Sequence, residues 1–227
     1  MNVKPQLTED GSMTLHSERF GVTYHSAFGA VEESLHVFLC AGFQRLVLDG
    51  YEKINILEIG FGTGLNALLT MIETHRNQAI SVNYTGVEAY PISEEVFSEL
   101  GYVSYLNLPE VEDDFIKLHQ VLSGEVLTQQ NFSFRRLDIT FEELNEEGQY
   151  DLIYFDAFAP TTQPELWNEV MMKKMYTALK ESGAFVTYCA KGSFKRALKA
   201  SGFQIEALPG PGRKREMTRA WKVKNLD

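Results

Sequence analysis

Short apolar runs alternate with amphipathic stretches along most of this 227-residue chain. The apolar runs have the length and composition of buried strands, whereas the amphipathic stretches repeat their apolar residues at helical spacing. The pattern predicts strands over residues 54–59, 82–87, 132–137, 151–155, 184–189, 203–208 and 217–223. It predicts helices over residues 65–73, 93–100, 113–122, 164–180 and 194–200. Strands that alternate with helices favour βαβ units and a largely parallel sheet.

The N-terminal part of the chain departs from this alternation. Residues 1–20 are polar and predict a loop or a short hairpin. Residues 30–48 predict a helix with Leu35, Phe38 and Leu39 on one face. We therefore treat the N-terminal extension and this helix as a unit that precedes the main domain.

The C-terminal part of the sequence predicts how the last strands of the sheet are arranged. Only the PGPGRK loop separates the last two strands, which indicates an antiparallel hairpin. We predict a Rossmann-like α/β fold, with a mostly parallel seven-stranded sheet, one antiparallel edge strand and helices on both faces. The main domain is expected over residues 49–227 and the N-terminal extension and helix over residues 1–48, in one compact unit.

A glycine-rich turn follows the first strong strand, in the sequence EIGFGTG. Glycines let the backbone turn tightly and approach a ligand, and the next helix offers free N–H groups at its start. A dinucleotide-binding turn has the spacing G-x-G-x-x-G/A, but Leu65 stands at its last position here. The spacing instead resembles the S-adenosylmethionine (SAM) loop of class I methyltransferases. The cofactor residues predicted in this turn are Glu58, Gly60, Gly62 and Gly64.

Two further acids follow the next predicted strands, where ligands of open α/β sheets bind. Glu88 ends the second strand, and a carboxylate there can accept both ribose hydroxyls of an adenosyl group. Asp138 follows the third strand, at a position that usually contacts the adenine amine in such folds. The two cysteines, Cys40 and Cys189, fit no metal site, so SAM without a metal is the predicted cofactor.

The DAFAP segment after the fourth strand lies where amino methyltransferases receive their nucleophile. Asp156 could orient an amine or take its proton. Orientation is favoured because the ordinary pKa of an aspartate, about 3.9, makes it a weak base. Phe158 could stack on a flat base or pack near the sulfonium. The simpler alternative is that Asp156 caps the next helix and Phe158 belongs to the core.

Longer runs of the sequence, among them HSAFGAVEESLHVF, LEIGFGTGLNALL, YDLIYFDAFAPTTQPELW and PGPGRKREMTRA, resemble the MnmD family of stand-alone tRNA methyltransferases. That family is related to the methyltransferase half of bifunctional MnmC, and the resemblance runs from His25 to Ala220. It implies methyl transfer from SAM to the exocyclic amine of 5-aminomethyl-2-thiouridine at the tRNA wobble position, giving 5-methylaminomethyl-2-thiouridine. It also places the catalytic segment at Asp156, Phe158 and Pro160.

The resemblance carries an expectation about the second activity of the bifunctional relatives. Those proteins have a flavin oxidoreductase domain that frees the amine from its precursor. This sequence shows no second glycine fingerprint. We therefore expect no FAD, and we expect upstream wobble-uridine modification enzymes to make the amine on the same tRNA.

The chain is acidic overall, but its charge is unevenly distributed. The formal net charge is -10, yet residues 191–227 hold ten basic and only three acidic residues. A basic C-terminal face suits the phosphates of an anticodon stem-loop. The residues predicted to contact RNA are Lys191, Lys195, Arg196, Arg213, Lys214 and Arg215.

Three other functions remain open from the residues alone: a SAM-dependent N-methyltransferase of a small-molecule amine, a nucleotide-dependent oxidoreductase, and a non-catalytic RNA-binding module. The N-terminus lacks the apolar core of a secretory signal, and no long apolar run predicts a membrane span. We therefore expect a cytoplasmic protein. Separately, we expect a monomer.

Overall fold

The first strands form a small antiparallel sheet of their own. The computed structural model describes residues 2–223, and this sheet contains β1 (Val3–Leu7), β2 (Met13–Ser17) and β3 (Val22–Thr23). β2 lies between β1 and β3 and pairs with both in antiparallel fashion. Of the two alternatives expected within residues 1–20, a loop or a short hairpin, the hairpin is present, and β3 extends it.

An eight-stranded sheet occupies the centre of the protein, in the order β10-β11-β9-β8-β4-β5-β7-β6. Its parallel part contains β7, β5, β4, β8 and β9. β11 runs antiparallel to both β9 and β10. The strands are β4 (Lys53–Ile59), β5 (Ser81–Val87), β6 (Val126–Gln129), β7 (Phe132–Leu137), β8 (Tyr150–Phe155), β9 (Leu179–Thr187), β10 (Gln204–Pro209) and β11 (Glu216–Trp221). The predicted α/β fold with a mostly parallel sheet is confirmed.

Two details of the sheet differ from the prediction. The sheet has eight strands because Val126–Gln129 pairs antiparallel with β7 at one edge. This strand is half exposed along its length, so no apolar run marks it in the sequence. The reversed strand β11 lies between β9 and β10 instead of at the edge, because the hairpin folds back into the sheet.

Helices cover both faces of the sheet. The helices are α1 (Ala30–Ser34), α2 (Gln44–Leu48), α3 (Leu65–Arg76), α4 (Glu94–Phe97), α5 (Tyr102–Leu106), α6 (Glu112–Gln120), α7 (Glu169–Ala178) and α8 (Gly192–Ala200). A π-helical segment, Leu35–Phe43, joins α1 to α2 without a break. Short 3₁₀ turns occur at Pro109–Val111, Phe141–Glu143 and Pro164–Trp167.

The helix predicted over residues 30–48 is present, but its buried face differs from the prediction. Phe38 and Leu39 are buried, whereas Leu35 is 39% exposed. The wider turn of the π-helical segment changes which side chains share a face, so a spacing count at the α-helical period fails there.

The helix predicted over residues 164–180 is interrupted and ends early. Pro164–Trp167 forms a 3₁₀ turn, and Asn168 then caps α7 by accepting a hydrogen bond from the backbone N–H of Met171 at 3.0 Å. Leu179 already begins β9, which lengthens the strand predicted over residues 184–189. The helix predicted over residues 93–100 is shorter, spanning Glu94–Phe97.

Alternating side chains of the central strands divide the core into two layers. On β4, Ile56 packs into one hydrophobic cluster, while Leu57 and Ile59 pack into the other. Because β4, β5, β7 and β8 are parallel, their carboxyl ends meet at one edge of the sheet. This edge holds the candidate site.

Some predictions reach beyond the described residues. The predicted domain bounds extend to residues 1 and 227, and the basic C-terminal count includes Lys224, all of which lie outside residues 2–223. Within residues 2–223, no helix has the length and apolar character needed to cross a membrane.

Candidate active site

A pocket opens at the carboxyl ends of the central strands. The glycine loop after β4 and the end of β5 form part of its wall, and the segment after β8 forms another part. Residues 139–142 after β7, together with Phe20, Tyr24 and His25 on either side of β3, complete much of the rest. The turns on either side of β3 therefore contribute to the site directly.

The glycine loop has backbone conformations that other residues rarely adopt. Gly60, Gly62 and Gly64 all have positive φ angles, of 90°, 50° and 72°. At Gly60 an added Cβ would also lie 2.6 Å from the carbonyl oxygen of Asp156, so only glycine permits this close approach of two strand ends. Gly60 and Gly62 line the pocket. Gly64 does not, and it packs instead against Phe61 and His119.

Glu88 lies in the pocket wall, at the end of β5. Its carboxylate accepts hydrogen bonds from the backbone N–H of Gly62 at 2.8 Å and of Tyr90 at 2.9 Å. Burial raises the pKa of Glu88. Each carboxylate oxygen keeps a second lone pair, so the group can still accept hydrogen bonds from a ligand.

Glu58 lies behind the wall, fully buried, and does not line the pocket. The Asn66 side-chain amide nitrogen donates to Glu58 Oε1 at 2.9 Å and to Asp156 Oδ2 at 3.0 Å. Desolvation raises the pKa of Glu58 well above its ordinary value. Asn66 thus links the first acid of the glycine motif to the DAFAP segment.

Sequence reasoning missed Asn66. The signal was a polar residue at the start of the otherwise apolar stretch LNALL, in α3. Its side chain is buried and lines the pocket. A buried amide in such a position needs hydrogen-bond partners, and here both are carboxylates.

Asp156 lines the pocket and has an unusual proton affinity. Desolvation and the nearby Glu33 carboxylate raise its pKa, while the hydrogen bond from Asn66 and the charge of Lys214 lower it, and the pKa is about 7. The expectation that Asp156 is a weak base relied on the ordinary pKa of an aspartate. That pKa does not apply to a desolvated carboxyl group. An aspartate with this pKa can exchange a proton near neutral pH.

Phe158 lines the pocket within a group of aromatic rings. Its ring centroid lies 4.8 Å from that of Phe20 and 5.1 Å from that of Tyr24. The Trp167 indole donates a hydrogen bond to the backbone carbonyl of Phe158 at 2.8 Å, which holds the segment from below. Pro160, the third residue predicted in the catalytic segment, does not line the pocket.

Asp138 is exposed, and its carboxylate turns toward Arg136. Arg136 donates to both of its oxygens, at 2.7 and 3.2 Å. The pocket wall in this region consists of the next residues along the chain, Ile139, Thr140 and Phe141. Asp138, the residue predicted at this strand end, therefore does not line the pocket.

Half of the predicted RNA-contacting residues have partners within the protein. Lys195 binds Glu216 at 2.8 Å, and Arg213 lies 3.8 Å from Glu9. Lys214 pairs with the buried Glu33, and its ammonium lies 4.5 Å from the centre of the Tyr188 ring. The remaining three, Lys191, Arg196 and Arg215, are exposed.

The pocket suits a ligand with a positive centre. Glu88 and Asp156 face it, and among the described residues neither lysine nor arginine lines it. The Glu88 carboxylate has the lone pairs that vicinal hydroxyls require, and the tight glycine loop leaves room for a tail. These residues fit SAM, which has a ribose, a sulfonium and an amino acid tail. Within residues 2–223, no cluster of three or more His, Cys, Asp or Glu side chains could hold a metal ion.

Comparison with known proteins identifies a matching family and several similar proteins. Residues 112–223 match a family described as S-adenosyl-L-methionine-dependent methyltransferase. Two proteins named tRNA 5-methylaminomethyl-2-thiouridine biosynthesis bifunctional protein MnmC are similar over most of the chain. The protein of Leptospira interrogans is 29% identical over 93% of this chain and 34% of its own length. That of Idiomarina loihiensis is 31% identical over 95% of this chain and 38% of its own length. The chain thus spans about a third of these relatives.

Solved structures support the same relationship. The crystal structure of MnmC2 from Aquifex aeolicus is 25% identical, with a TM-score of 0.78, over 96% of this chain and 69% of its own. Spermidine synthase from Thermotoga maritima shares the fold, with 14% identity and a TM-score of 0.53, over 100% of this chain and 73% of its own. The chain therefore has the fold of the class I SAM-dependent methyltransferases, and MnmC proteins are among its relatives.

Proposed function

We propose that this protein transfers a methyl group from SAM to the exocyclic amine of 5-aminomethyl-2-thiouridine at the tRNA wobble position. The product would be 5-methylaminomethyl-2-thiouridine. The observation that carries the proposal is Asp156, a half-buried residue whose carboxylate is held by Asn66 in the wall of a pocket that fits SAM. The names of the MnmC relatives supply the RNA substrate.

The cofactor residues are assigned from their positions in the pocket. Glu88 would accept the ribose hydroxyls, and Gly60 and Gly62 would leave room for the amino acid tail. When bound, SAM supplies an electrophilic methyl group on a positively charged sulfur. Glu58 would act indirectly, by holding Asn66 and so the orientation of Asp156.

Asp156 would both orient the amine and accept its proton. An aliphatic amine is mostly protonated near neutral pH, and only the neutral form has a lone pair for attack. A carboxylate with a pKa of about 7 can receive that proton near the working pH. Phe158, packed against Phe20 and Tyr24, would form an apolar wall beside the reacting groups. Orientation in a fixed pocket then supplies much of the rate.

The tRNA would approach the exposed cations at the C-terminal side of the sheet. Lys191, Arg196 and Arg215 are exposed and suit phosphate contacts. The acidic remainder of the surface would repel RNA and so favour one orientation. A tRNA substrate places the reaction in the cytoplasm. We propose a monomer that uses neither FAD nor a metal.

Methyl transfer from labelled SAM to different acceptors tests this proposal. Bulk tRNA from cells that lack the modification should become labelled, and the Asp156→Ala variant should bind SAM yet leave the tRNA unlabelled. Labelling of small amines with inert tRNA would instead identify a small-molecule N-methyltransferase. A melting temperature that shifts with NAD(P)H but not with SAM would indicate an oxidoreductase. Binding of tRNA and SAM without transfer would indicate a non-catalytic module.

A further inference from the structure

His25 is buried beside the pocket, and three hydrogen bonds hold it in place. It is 8% exposed and lines the pocket. Its backbone N–H donates to Thr14 Oγ1 at 3.1 Å, and its carbonyl accepts from Thr23 Oγ1 at 2.7 Å. Its ring nitrogen Nδ1 lies 3.0 Å from the same Thr14 oxygen. Both the backbone and the ring are therefore fixed by the N-terminal sheet.

The hydrogen bonds of Thr14 are the basis on which we assign the ring proton, because the Thr14–His25 distance alone fits either direction. Thr14 is fully buried, so its hydroxyl proton needs an acceptor. Its oxygen already accepts from the His25 backbone, and the acceptor available to its proton is His25 Nδ1. In a neutral imidazole the other nitrogen then carries the hydrogen. Burial lowers the pKa of His25 to about 4, so the ring is neutral at physiological pH.

The tautomer presents an N–H donor toward the pocket. His25 lines the pocket and Thr14, the partner of Nδ1, does not, so we place the ring edge opposite Nδ1 toward the pocket. That edge carries Nε2–H. A fixed, neutral donor of this kind is suited to an anionic or carbonyl oxygen on a ligand.

The rest of the pocket makes such a donor useful. The ionisable side chains in its wall, Glu88 and Asp156 among them, accept hydrogen bonds or act as acids. Among the described residues, no cationic side chain lines the pocket. The Asn66 amide nitrogen is already committed to two carboxylates. SAM, however, carries one anionic group, the carboxylate of its methionine tail. That carboxylate must find N–H donors, and the side chains offer few.

We propose that His25 Nε2–H donates a hydrogen bond to the methionine carboxylate of SAM. This inference rests on the proposed use of SAM and adds a binding residue outside the glycine loop and the strand ends. His25 thereby couples the N-terminal sheet to occupation of the cofactor site. It would favour SAM and S-adenosylhomocysteine over adenosyl compounds that lack the amino acid tail.

Isothermal titration with three ligands tests the proposal on the purified chain. The ligands are SAM, S-adenosylhomocysteine and 5′-methylthioadenosine, which has the adenosine and the thioether but no amino acid tail. The His25→Phe variant keeps a ring of similar shape without a donor. A hydrogen bond to a charged group corresponds to a loss of about 10- to 100-fold in affinity. We expect that loss for the first two ligands and less than about a two-fold change for 5′-methylthioadenosine.

Two further variants sharpen the comparison. His25→Gln keeps an N–H donor near the position of Nε2 and should recover part of the lost affinity. His16→Phe removes another imidazole of the N-terminal sheet, one that does not line the pocket, and should leave all three affinities unchanged.

Equal weakening of all three ligands by His25→Phe would overturn the proposal, because it would indicate a role in pocket shape alone. Unchanged affinities with a raised KM for tRNA would overturn it by assigning His25 to the substrate. If the wild-type chain binds none of the three, the proposed function itself fails.

Discussion

At the scale of single residues, the proposed chemistry depends on how the surroundings of Asp156 change its pKa. The residue type alone indicates a weak base. Burial and the Glu33 carboxylate raise its pKa to about 7, and the Asn66 amide fixes one oxygen at 3.0 Å. The same group can therefore orient an amine and accept its proton. The two roles left open by the sequence are compatible in one residue.

The pH dependence of turnover should report this group. Asp156 must be ionised to accept a proton, so kcat for methyl transfer should rise with pH and level off above an inflection at about 7. Asp156→Asn should reduce kcat by about 1000-fold or more, while the Kd for SAM changes by less than about three-fold. A kcat that is constant between about pH 5.5 and 8.5 in the wild type would contradict the assignment, as would an equal loss of SAM binding and turnover.

The raised pKa of Asp156 should also affect stability, which should fall as the pH rises while kcat increases. The pKa of Asp156 is higher in the folded chain than in the unfolded one, so its contribution to stability is lost as the pH rises through about 7. Asp156→Asn removes the charge and should raise the melting temperature more at about pH 8 than at about pH 5. Asp113→Asn, on the exposed side of α6, is the matched control and should show no such difference. Calorimetry at the two pH values makes the comparison.

At the scale of elements, the loop before β11 contacts the helix that begins at Ala30. Lys214 from the loop pairs with Glu33 of α1 and covers the Tyr188 ring. The Tyr188 hydroxyl donates to the carbonyl of Ala157 at 2.8 Å, next to Asp156. The backbone N–H of Ser26 donates to Glu33 at 3.4 Å. Loop, helix and N-terminal segment thus meet behind the DAFAP segment.

This contact predicts opposite effects of two substitutions on the pH profile. Lys214 lowers the pKa of Asp156 and Glu33 raises it. Lys214→Met should therefore move the inflection of kcat to higher pH, and Glu33→Gln should move it to lower pH. Lys214→Arg keeps the charge and is the control for the first variant. Shifts in the same direction for both variants would refute the electrostatic role, since a change in packing alone has no reason to depend on the sign of the charge removed.

The sequence predicted the strands and the glycine loop better than the contacts between distant elements. The strand over residues 132–137 matches β7, because its buried residues alternate cleanly with half-buried ones. The π-helical turn and β6 have no comparable pattern, so periodicity missed them. Lys214 illustrates the other limit. Its basic neighbours predicted a solvent-facing RNA contact, but its partner Glu33 lies 181 positions away in the sequence.

At the scale of the whole molecule, the distribution of basic and acidic residues indicates where RNA could bind. The acidic chain carries its excess of basic residues near the C-terminus. The intramolecular pairs of Lys195 and Lys214 reduce the number of unpaired basic side chains in this region. The residues we then propose for phosphate contacts are Lys191, Arg196 and Arg215, all exposed.

Reversal of these three charges tests the RNA face. The combined variant Lys191→Glu, Arg196→Glu and Arg215→Glu should raise the KM for tRNA by about ten-fold or more and leave the Kd for SAM unchanged. The dependence of tRNA affinity on salt should also become shallower, by about one unit of log-log slope for each phosphate that the protein no longer neutralises. Lys53→Glu with Arg76→Glu, at the opposite end of the central strands, is the control. If both the triple variant and the control behave as the wild type, the tRNA does not bind this face.

The most direct test of the account is the identity of the methylated nucleoside. The purified chain is incubated with SAM bearing a deuterated methyl group and with tRNA that carries 5-aminomethyl-2-thiouridine, and the digested tRNA is analysed by mass spectrometry. The account predicts loss of that nucleoside and appearance of deuterated 5-methylaminomethyl-2-thiouridine, with no transfer by Asp156→Asn. A label on any other nucleoside, or none on tRNA while SAM is bound, would contradict it.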